Sequence, residues 1–209
     1  MNIFYQIIFI ICLYVMFSFT EYIVHRYFMH AKEKTILSDN HLTHHKHTLD
    51  DMKLKKSEQY NSKTNKYLGL YFVWSYTFLV FCIGLIEGFI LYGFLRFFRI
   101  DVGILSVFIW VLLFCIYQSS FWNTIHPDIH NIHESISWCE GIPGSSIWVF
   151  LFSSISIFSK KDIQEKNRTM NLYDWFKKNH IMHHLRKGNL KGNYNVTLPG
   201  ADWIFGTMY

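Results

Sequence analysis

Charged residues are scarce in this chain of 209 residues, at 17% of the composition against roughly 25% in an average globular protein. Hydrophobic residues make up 51% and aromatic residues 19%. Three stretches contain no charged residue, and each is about as long as the roughly 20 residues that a helix needs to cross a membrane. They run from Asn2 to Thr20, from Tyr67 to Ile86 and from Val102 to Ile125. The composition excludes an ordinary soluble domain and predicts an all-α integral membrane protein with about three spans.

Cysteine and proline are also rare, and neither forms a pattern. The four cysteines are far apart, and Cys12, Cys82 and Cys115 fall inside apolar runs. Such positions suit buried free thiols and argue against a disulfide framework or a thiolate metal site. The chain contains no proline-rich linker and no internal repeat. We therefore expect one domain over residues 1–209.

The N-terminal run lacks the features of a cleavable signal peptide, because no basic residue precedes it and no small-residue cleavage site follows it. We expect it to remain as the first span. Many basic residues lie between the first two apolar runs, at Lys32, Lys34, Lys46, Lys53, Lys55, Lys56, Lys63 and Lys66. Nucleic-acid binding is one explanation of this cluster. The positive-inside rule explains it better and places residues 21–66 in the cytosol.

A fourth uncharged run, rich in serine, extends from Gly141 to Ser159. The polar segments after it are rich in lysine and arginine and should also be cytosolic. We therefore predict that this run forms an interfacial helix and not a full span. The sequons at Asn167 and Asn195 would then face the cytosol and stay unmodified. Glu87, the one acid within an apolar run, falls near a predicted span end, where an interfacial position and a functional role explain it equally well.

Histidine is abundant by contrast, and all 12 residues fall in four clusters. The clusters are His25 and His30; His41, His44, His45 and His47; His126, His130 and His133; and His180, His183 and His184. Two of them contain the same pattern, H-x-x-H-H, whose three imidazoles cover roughly 100° of one helix face. Neutral imidazole is the commonest protein ligand of metals. Some ten converging imidazoles exceed the ligands of a structural zinc site and fit two metals with roughly five nitrogens each, so the set predicts a di-metal helical cap.

Spacing within the clusters separates ligands from other histidines only in part. His47 lies at the edge of the arc of its cluster, which favours a position outside the site. His133 shares a helical face with His126 and His130, so geometry alone does not exclude it. Pro127, between these histidines, should kink the helix or start a new one.

The first pair of histidines raises a geometric problem of its own. His25 and His30 are five residues apart, roughly 140° around an α-helix, so they can meet at one atom only if the helix bends or ends between them. Acidic residues near the clusters should orient the imidazoles through their second ring nitrogens. The candidates are Asp39, Asp128, Glu134 and Asp174.

The order of the histidine motifs resembles that of the fatty acid hydroxylase and sterol desaturase superfamily, the membrane-bound di-iron oxygenases with histidine boxes. The boxes here are HRYFMH, HLTHH, HPDIH and HIMHH, and the ending GNYNVTLPGADWIFGT is similar to that family's closing segment. The resemblance extends from about Glu21 to Thr207 and implies that His47 and His133 are not ligands. The ligands that it implies are His25, His30, His41, His44, His45, His126, His130, His180, His183 and His184.

The resemblance also implies a chemistry and its partners. It implies two iron ions with dioxygen as co-substrate, and hydroxylation or desaturation of a fatty acyl or sterol-type lipid without catalytic side chains beyond the ligands. Imidazole suits zinc as well as iron, so the metal present on isolation stays open. We expect a separate electron donor, such as a cytochrome-b-type haem protein with its reductase, because the sequence contains no cytochrome-like segment. The expected location is an endoplasmic-reticulum-type membrane with the histidines facing the cytosol, without a nucleic-acid partner.

Two functions without catalysis compete with this hypothesis. A divalent-metal transporter would also be membranous and rich in histidine, but its ligands should lie near the bilayer midplane on broken helices. The histidines of this chain cluster at the predicted span ends instead. A membrane protein that binds metal without turnover is the second alternative.

Overall fold

The computed structural model describes residues 2–31, 33, 35–55, 69–157, 170–185 and 192–208. Its helices are α1 (Ile3–Ile23), α2 (Ile36–His47), α3 (Trp74–Phe97), α4 (Ile104–Ile129), α5 (Ser146–Ser154), α6 (Leu172–Leu185) and α7 (Ala201–Ile204), and a π-helical turn (Val24–Met29) follows α1 directly. Two short strands, β1 (Ser156–Ile157) and β2 (Met170–Asn171), pair antiparallel. The described chain is thus mostly helical, although this strand pair was not predicted. Lys32, Lys34, Lys56, Lys63, Lys66, Tyr67 and Asn167 lie outside the described residues.

Three helical segments are long and apolar enough to cross a membrane, namely Ile3–Met29, Trp74–Phe97 and Ile104–Ile129. Their number agrees with the three spans predicted from the apolar runs. Large apolar side chains on their outer faces, such as Phe94 and Leu105, are largely exposed. An apolar surface of this extent is unfavourable in water, whereas lipid solvates it.

The second span begins later than the sequence predicted. The uncharged run begins at Tyr67, but α3 begins only at Trp74. Val73, directly before the helix, is extended, and the backbone N–H of Phe72 donates to Oδ1 of Asn123 on α4 at 2.6 Å. The start of α3 therefore coincides with a contact to a distant helix. The composition of the segment does not predict such a contact.

The second span also ends later than predicted, which changes the position of Glu87. The uncharged run ends at Ile86, whereas α3 continues to Phe97. Glu87 consequently lies near the middle of α3. The expectation that it falls near a span end is wrong, and an interfacial position no longer explains it.

Glycines allow the three long helices to pack closely. A Cβ atom at Gly84 would lie 2.5 Å from Cζ of Phe17, and one at Gly88 would lie 2.9 Å from Cγ1 of Val107. Small residues at such positions are common where membrane helices approach each other. Phe17 and Val107 belong to the same buried cluster, which also contains Val111. The core of the membrane part therefore lies where α1, α3 and α4 meet.

The third span continues through Pro127 and ends at Ile129. Of the two alternatives expected for Pro127, a kink or the start of a new helix, the second is wrong, because Pro127 occupies the last turn of α4. Proline has no N–H to donate to the carbonyl of Asn123 one turn earlier. The backbone of Gly144 packs against that carbonyl instead, and a Cβ atom there would lie 2.3 Å from the oxygen.

The fourth uncharged run contains only a short helix. α5 has nine residues, fewer than half of the roughly 20 that a span requires. Ile147 and Phe150 on α5 are largely exposed. α5 packs against α4 and α6, and its length agrees with the prediction that the run does not cross the membrane.

Candidate metal centre

The structure brings the ten predicted ligands together where the C-terminal ends of α1 and α4 meet α2 and α6. Nine of them form two groups, in each of which one nitrogen per residue lies within 4.8 Å of the others. Group A contains His44, His126, His130, His180 and His184; group B contains His25, His30, His41 and His183. The tenth, His45, adjoins group B, because its Nε2 lies 2.9 Å from Nε2 of His41 and 3.1 Å from Nε2 of His183. Each group could hold a metal ion.

The two H-x-x-H-H motifs contribute to the two groups in a reciprocal way. On α2, His41 and His45 face group B while His44 faces group A. On α6, the first and last histidines of the motif face group A, whereas His183 faces group B. Residues i and i+4 lie roughly 40° apart around a helix, and residue i+3 lies roughly 60° from residue i in the opposite direction. α2 and α6 therefore each contribute histidines to both groups, so the helix geometry fixes the distance between the two groups.

A π-helical turn brings the first pair of histidines together. The backbone N–H of His30 donates to the carbonyl of His25 at 3.2 Å, the five-residue bond of a π-helix. The two rings are stacked with centroids 5.3 Å apart. An α-helix would have placed these side chains roughly 140° apart. The sequence required the helix to bend or end between His25 and His30. In the structure, the helix changes there from α-helical to π-helical hydrogen bonding.

The spacing of the nitrogens fits a bound cation. Nε2 of His41 lies 3.0 Å from Nε2 of His25, 3.1 Å from that of His30 and 2.9 Å from that of His45. One proton on His41 could be shared with only one of these three neighbours. Two nitrogens at right angles, each about 2.1 Å from one ion, lie roughly 3.0 Å apart. The group B geometry therefore suits a metal better than a set of hydrogen bonds.

Group A shows the same arrangement. Nε2 of His180 lies 3.2 Å from Nε2 of His130 and 3.0 Å from that of His184. Nε2 of His126 is buried and has no hydrogen-bond partner among the described residues. A buried nitrogen without a partner is costly unless a ligand completes the site.

Backbone carbonyls orient four of the imidazoles. Nδ1 of His25 lies 2.6 Å from the carbonyl of Tyr194, and Nδ1 of His183 lies 2.9 Å from that of Gly192. In group A, the corresponding partners are the carbonyls of Leu70 for His126 at 2.8 Å and of Met52 for His130 at 2.6 Å. A carbonyl oxygen only accepts, so each Nδ1 carries the proton and each Nε2 keeps a lone pair directed into its group.

For these four imidazoles, the expectation that acidic side chains orient the rings is wrong. Asp128 instead accepts a hydrogen bond from the hydroxyl of Tyr173 and lies 3.2 Å from Nδ1 of His133. Asp39, Asp174 and Glu134 are exposed. Sequence reasoning missed the true partners because a backbone carbonyl has no residue signature.

Burial keeps the imidazoles outside the membrane helices neutral. It lowers the pKa values of His41 and His44 well below the ordinary range, and neighbouring imidazoles lower them further. The same causes act on His180 and His184. Burial lowers the pKa of His130 to about 4, against the hydrogen bond from its ring to Met52. The neutral form is the one that binds a metal.

The two histidines that the resemblance leaves out lie outside both groups. His133 is largely exposed and faces Asp128, at the surface of the protein. His47 is the last residue of α2, and its carbonyl accepts from the backbone N–H of Lys55 at 2.8 Å.

Glu21, which the sequence analysis did not single out, anchors the closing segment 192–208 to α1. Its carboxylate accepts hydrogen bonds from the backbone N–H groups of Thr197 and Leu198, each at 2.9 Å, and from the hydroxyl of Thr197 at 2.7 Å. Nδ2 of Asn195 donates to the carbonyl of Ser18 at 2.8 Å. These bonds hold the segment that supplies the two carbonyls orienting group B.

A mostly apolar cavity of about 310 Å³ adjoins group B between α1, α2, α3 and α4. His25 and His41 of group B line it at one end, and Phe17 and Glu87 line it deeper in the membrane part. Phe28 and Leu79, which also line it, are 53% and 43% exposed, so the cavity borders the lipid-facing surface. The site thus combines two histidine groups with a space for an apolar molecule.

No protein-family model, curated protein or solved structure matches this chain.

Proposed function

We propose that this protein is an oxygen-dependent lipid oxidoreductase that uses two iron ions held by the ten histidines. The observation that carries the proposal is the pairing of two buried histidine groups with an apolar cavity that reaches one of them. A purely structural metal site needs only four ligands and no cavity. The family resemblance of the histidine motifs leads to the same function.

The proposal assigns the metals to the two groups. Group A would hold one ion and group B, with His45, the other. Imidazole is a ligand for iron, zinc and copper, and neither group contains a thiolate that would favour an iron–sulfur cluster. When bound, the two ions would activate dioxygen for hydroxylation of an unactivated C–H bond, or for desaturation.

The chain itself would orient the imidazole ligands, exclude water from them and position the lipid. The carbonyls of Tyr194, Gly192, Leu70 and Met52 keep Nε2 of each partner ring deprotonated and aimed into its group. Burial excludes water from the ligands and keeps them neutral. The apolar cavity wall would hold a lipid chain next to His25 and His41. The exposed position of Leu79 and Phe28 on its border would let that chain enter from the bilayer.

The proposed topology follows from the same arrangement. Both groups lie at one end of the three spans, which we place at the cytosolic face of an endoplasmic-reticulum-type membrane. α5, with Ile147 and Phe150 exposed, would lie in the interface there. A separate electron donor, such as a cytochrome-b-type haem protein, would then reach the metals from the cytosol.

The proposal is tested by metal content and by lipid products. Protein purified anaerobically should contain about two metal ions per chain, as the two groups require. His44→Ala in group A and His183→Ala in group B should each lower the metal content and abolish lipid oxidation. His133→Ala is the matched control, because His133 lies outside both groups and should leave both quantities unchanged. Untargeted lipidomics of cells that express the wild type or His183→Ala would identify the product.

The outcomes separate the alternatives. A metal content near zero in the wild type would contradict a metal centre altogether. Two metals without any change in cellular lipids would favour a metal-binding protein without turnover. Metal transport into vesicles that His44→Ala abolishes would favour a transporter, although the position of both groups at the span ends does not support one.

A further inference from the structure

Polar side chains from all three membrane-spanning helices line the mostly apolar cavity. Among them are Thr20 on α1, Glu87 on α3 and Gln118 on α4. The hydroxyl of Thr20 donates to Oε1 of Glu87. Oε2 of Glu87 and Oε1 of Gln118 are both buried, yet neither has a hydrogen-bond partner among the described residues. The cavity therefore presents two acceptors that the described part of the protein leaves without a donor.

Other buried polar residues of the spans show what a purely structural role looks like. Gln6 donates through Nε2 to the carbonyl of Val102 at 2.8 Å and accepts through Oε1 from the indole N–H of Trp110 at 3.0 Å. Both carboxylate oxygens of Glu21 accept hydrogen bonds from the closing segment. These groups are saturated, as buried polar groups usually are. Glu87 and Gln118 differ from them, and both face the same cavity.

The position of Glu87 makes a structural explanation weaker still. It lies near the middle of α3, where a carboxyl group is unfavourable in lipid and usually marks a functional site. No cation lies among the residues that line the cavity with it. A hydrogen-bond donor on a bound molecule would satisfy its second oxygen. An ordinary saturated chain has no such donor and would leave the oxygen desolvated and unpaired.

We propose that the cavity binds a hydroxylated lipid, in which a hydroxyl on the hydrophobic chain donates to Glu87 or Gln118. Thr20 lies five residues before His25 on the same helix, which is about 7.5 Å along its axis. The hydroxyl would therefore lie several carbon atoms away from the part of the chain that is next to group B. The hydrogen bond would fix which C–H bond reaches the metals. Describing this lipid as the substrate rests on the proposed function, whereas its binding does not.

Competition binding tests this inference without turnover. The protein in lipid nanodiscs is crosslinked to a photoreactive fatty acid, and competitors reduce the yield. The competitors are octadecanoic acid and a series of octadecanoic acids with one hydroxyl at different positions. At least one isomer should compete about tenfold better than octadecanoic acid, a difference of about 1.4 kcal/mol. Equal competition by all of them would overturn the proposal and would mean that water satisfies the polar atoms.

Variants locate the preference within the cavity. Glu87→Leu and Gln118→Leu should strengthen binding of octadecanoic acid and reduce or remove the preference for the hydroxylated isomer. Glu87→Gln keeps a hydrogen-bond acceptor and should retain part of the preference for the hydroxylated isomer. Ile86→Leu is the matched control, since Ile86 is the largely exposed neighbour on α3 and is not part of the cavity. A preference that survives in the Glu87→Leu, Gln118→Leu double variant would overturn the proposal.

Metal analysis of the same samples separates this inference from the proposed function. Glu87→Leu should keep the metal content of the wild type, because Glu87 contacts neither histidine group. A hydroxyl preference in a protein without metal would contradict the proposed function and support the cavity inference. Two metals without a hydroxyl preference would contradict the cavity inference and would be consistent with the proposed function.

Discussion

Replacement of Glu21 should remove one metal and leave the other, although Glu21 is not a ligand. Glu21→Ala deprives the buried N–H groups of Thr197 and Leu198 of their acceptor. An unsatisfied buried donor costs about 1–3 kcal/mol, so the two together cost about 2–6 kcal/mol. That is a large part of the total stability of a typical domain, about 5–15 kcal/mol. We therefore expect the closing segment to detach from α1 locally.

Detachment affects the two groups differently. The closing segment supplies the carbonyls of Tyr194 and Gly192, which orient His25 and His183 in group B. The group A carbonyls, from Leu70 and Met52, come from the chain between α2 and α3. Loss of such orienting partners typically lowers metal affinity about 10- to 100-fold. Group B should therefore lose its metal at moderate chelator concentrations while group A keeps its own.

The assay is the metal-to-protein ratio after dialysis against graded chelator, read by elemental mass spectrometry. The wild type should keep about two ions where Glu21→Ala keeps about one, consistent with one site per group. Asp174→Asn is the matched control, because Asp174 is an exposed acid at the start of α6 and should leave the ratio unchanged. A folded Glu21→Ala protein with both ions, or equal loss from both groups, would refute the reasoning.

Three further predictions follow from the described contacts. Because burial lowers the pKa values of His41, His44 and His130, the unfolded chain binds more protons, and the metal-free protein should lose stability as pH falls from about 6.5 towards 4. Thermal unfolding at pH 7.5, 6 and 5 measures this, and a constant midpoint would contradict it. Gly144→Ala should destabilise the protein by about 1–3 kcal/mol through the clash with the Asn123 carbonyl, whereas Gly93→Ala, with no heavy atom within 4 Å, should not. Denaturation midpoints that match in these two variants would refute the clash. His45→Ala should weaken metal binding in group B more than in group A, and a two-site metal titration in which both affinities change equally would exclude that assignment.

Local composition and spacing were enough to predict some features of the fold and site. Uncharged runs of span length predicted the number of long helices, because helix formation in lipid depends on length and apolar content. The spacing of H-x-x-H-H predicted that its imidazoles share one helix face, since that depends on the helical repeat alone. The short α5 agrees with the prediction that residues 141–159 do not form a full span.

Contacts between residues far apart in the chain determine the bounds of α3 and the partners of the imidazoles. No local sequence pattern predicts such contacts. The start of α3 depends on the bond between Phe72 and Asn123, and its continuation to Phe97 placed Glu87 at mid-helix. The acids predicted to orient the imidazoles do not orient the four rings that carbonyls hold, because any residue type can supply a carbonyl.

The sequence by itself determined three apolar helices, because these depend on composition, and two histidine arcs, because these depend on the helical repeat. The set of ten candidate ligands was implied by the resemblance of the histidine motifs. Only the tertiary structure decided how those histidines divide. The π-helical turn brings His30 over His25, and the reciprocal use of α2 and α6 separates His44 from His41 and His183 from its neighbours. That division depends on the relative rotation of helices packed across the whole chain, which no local pattern encodes.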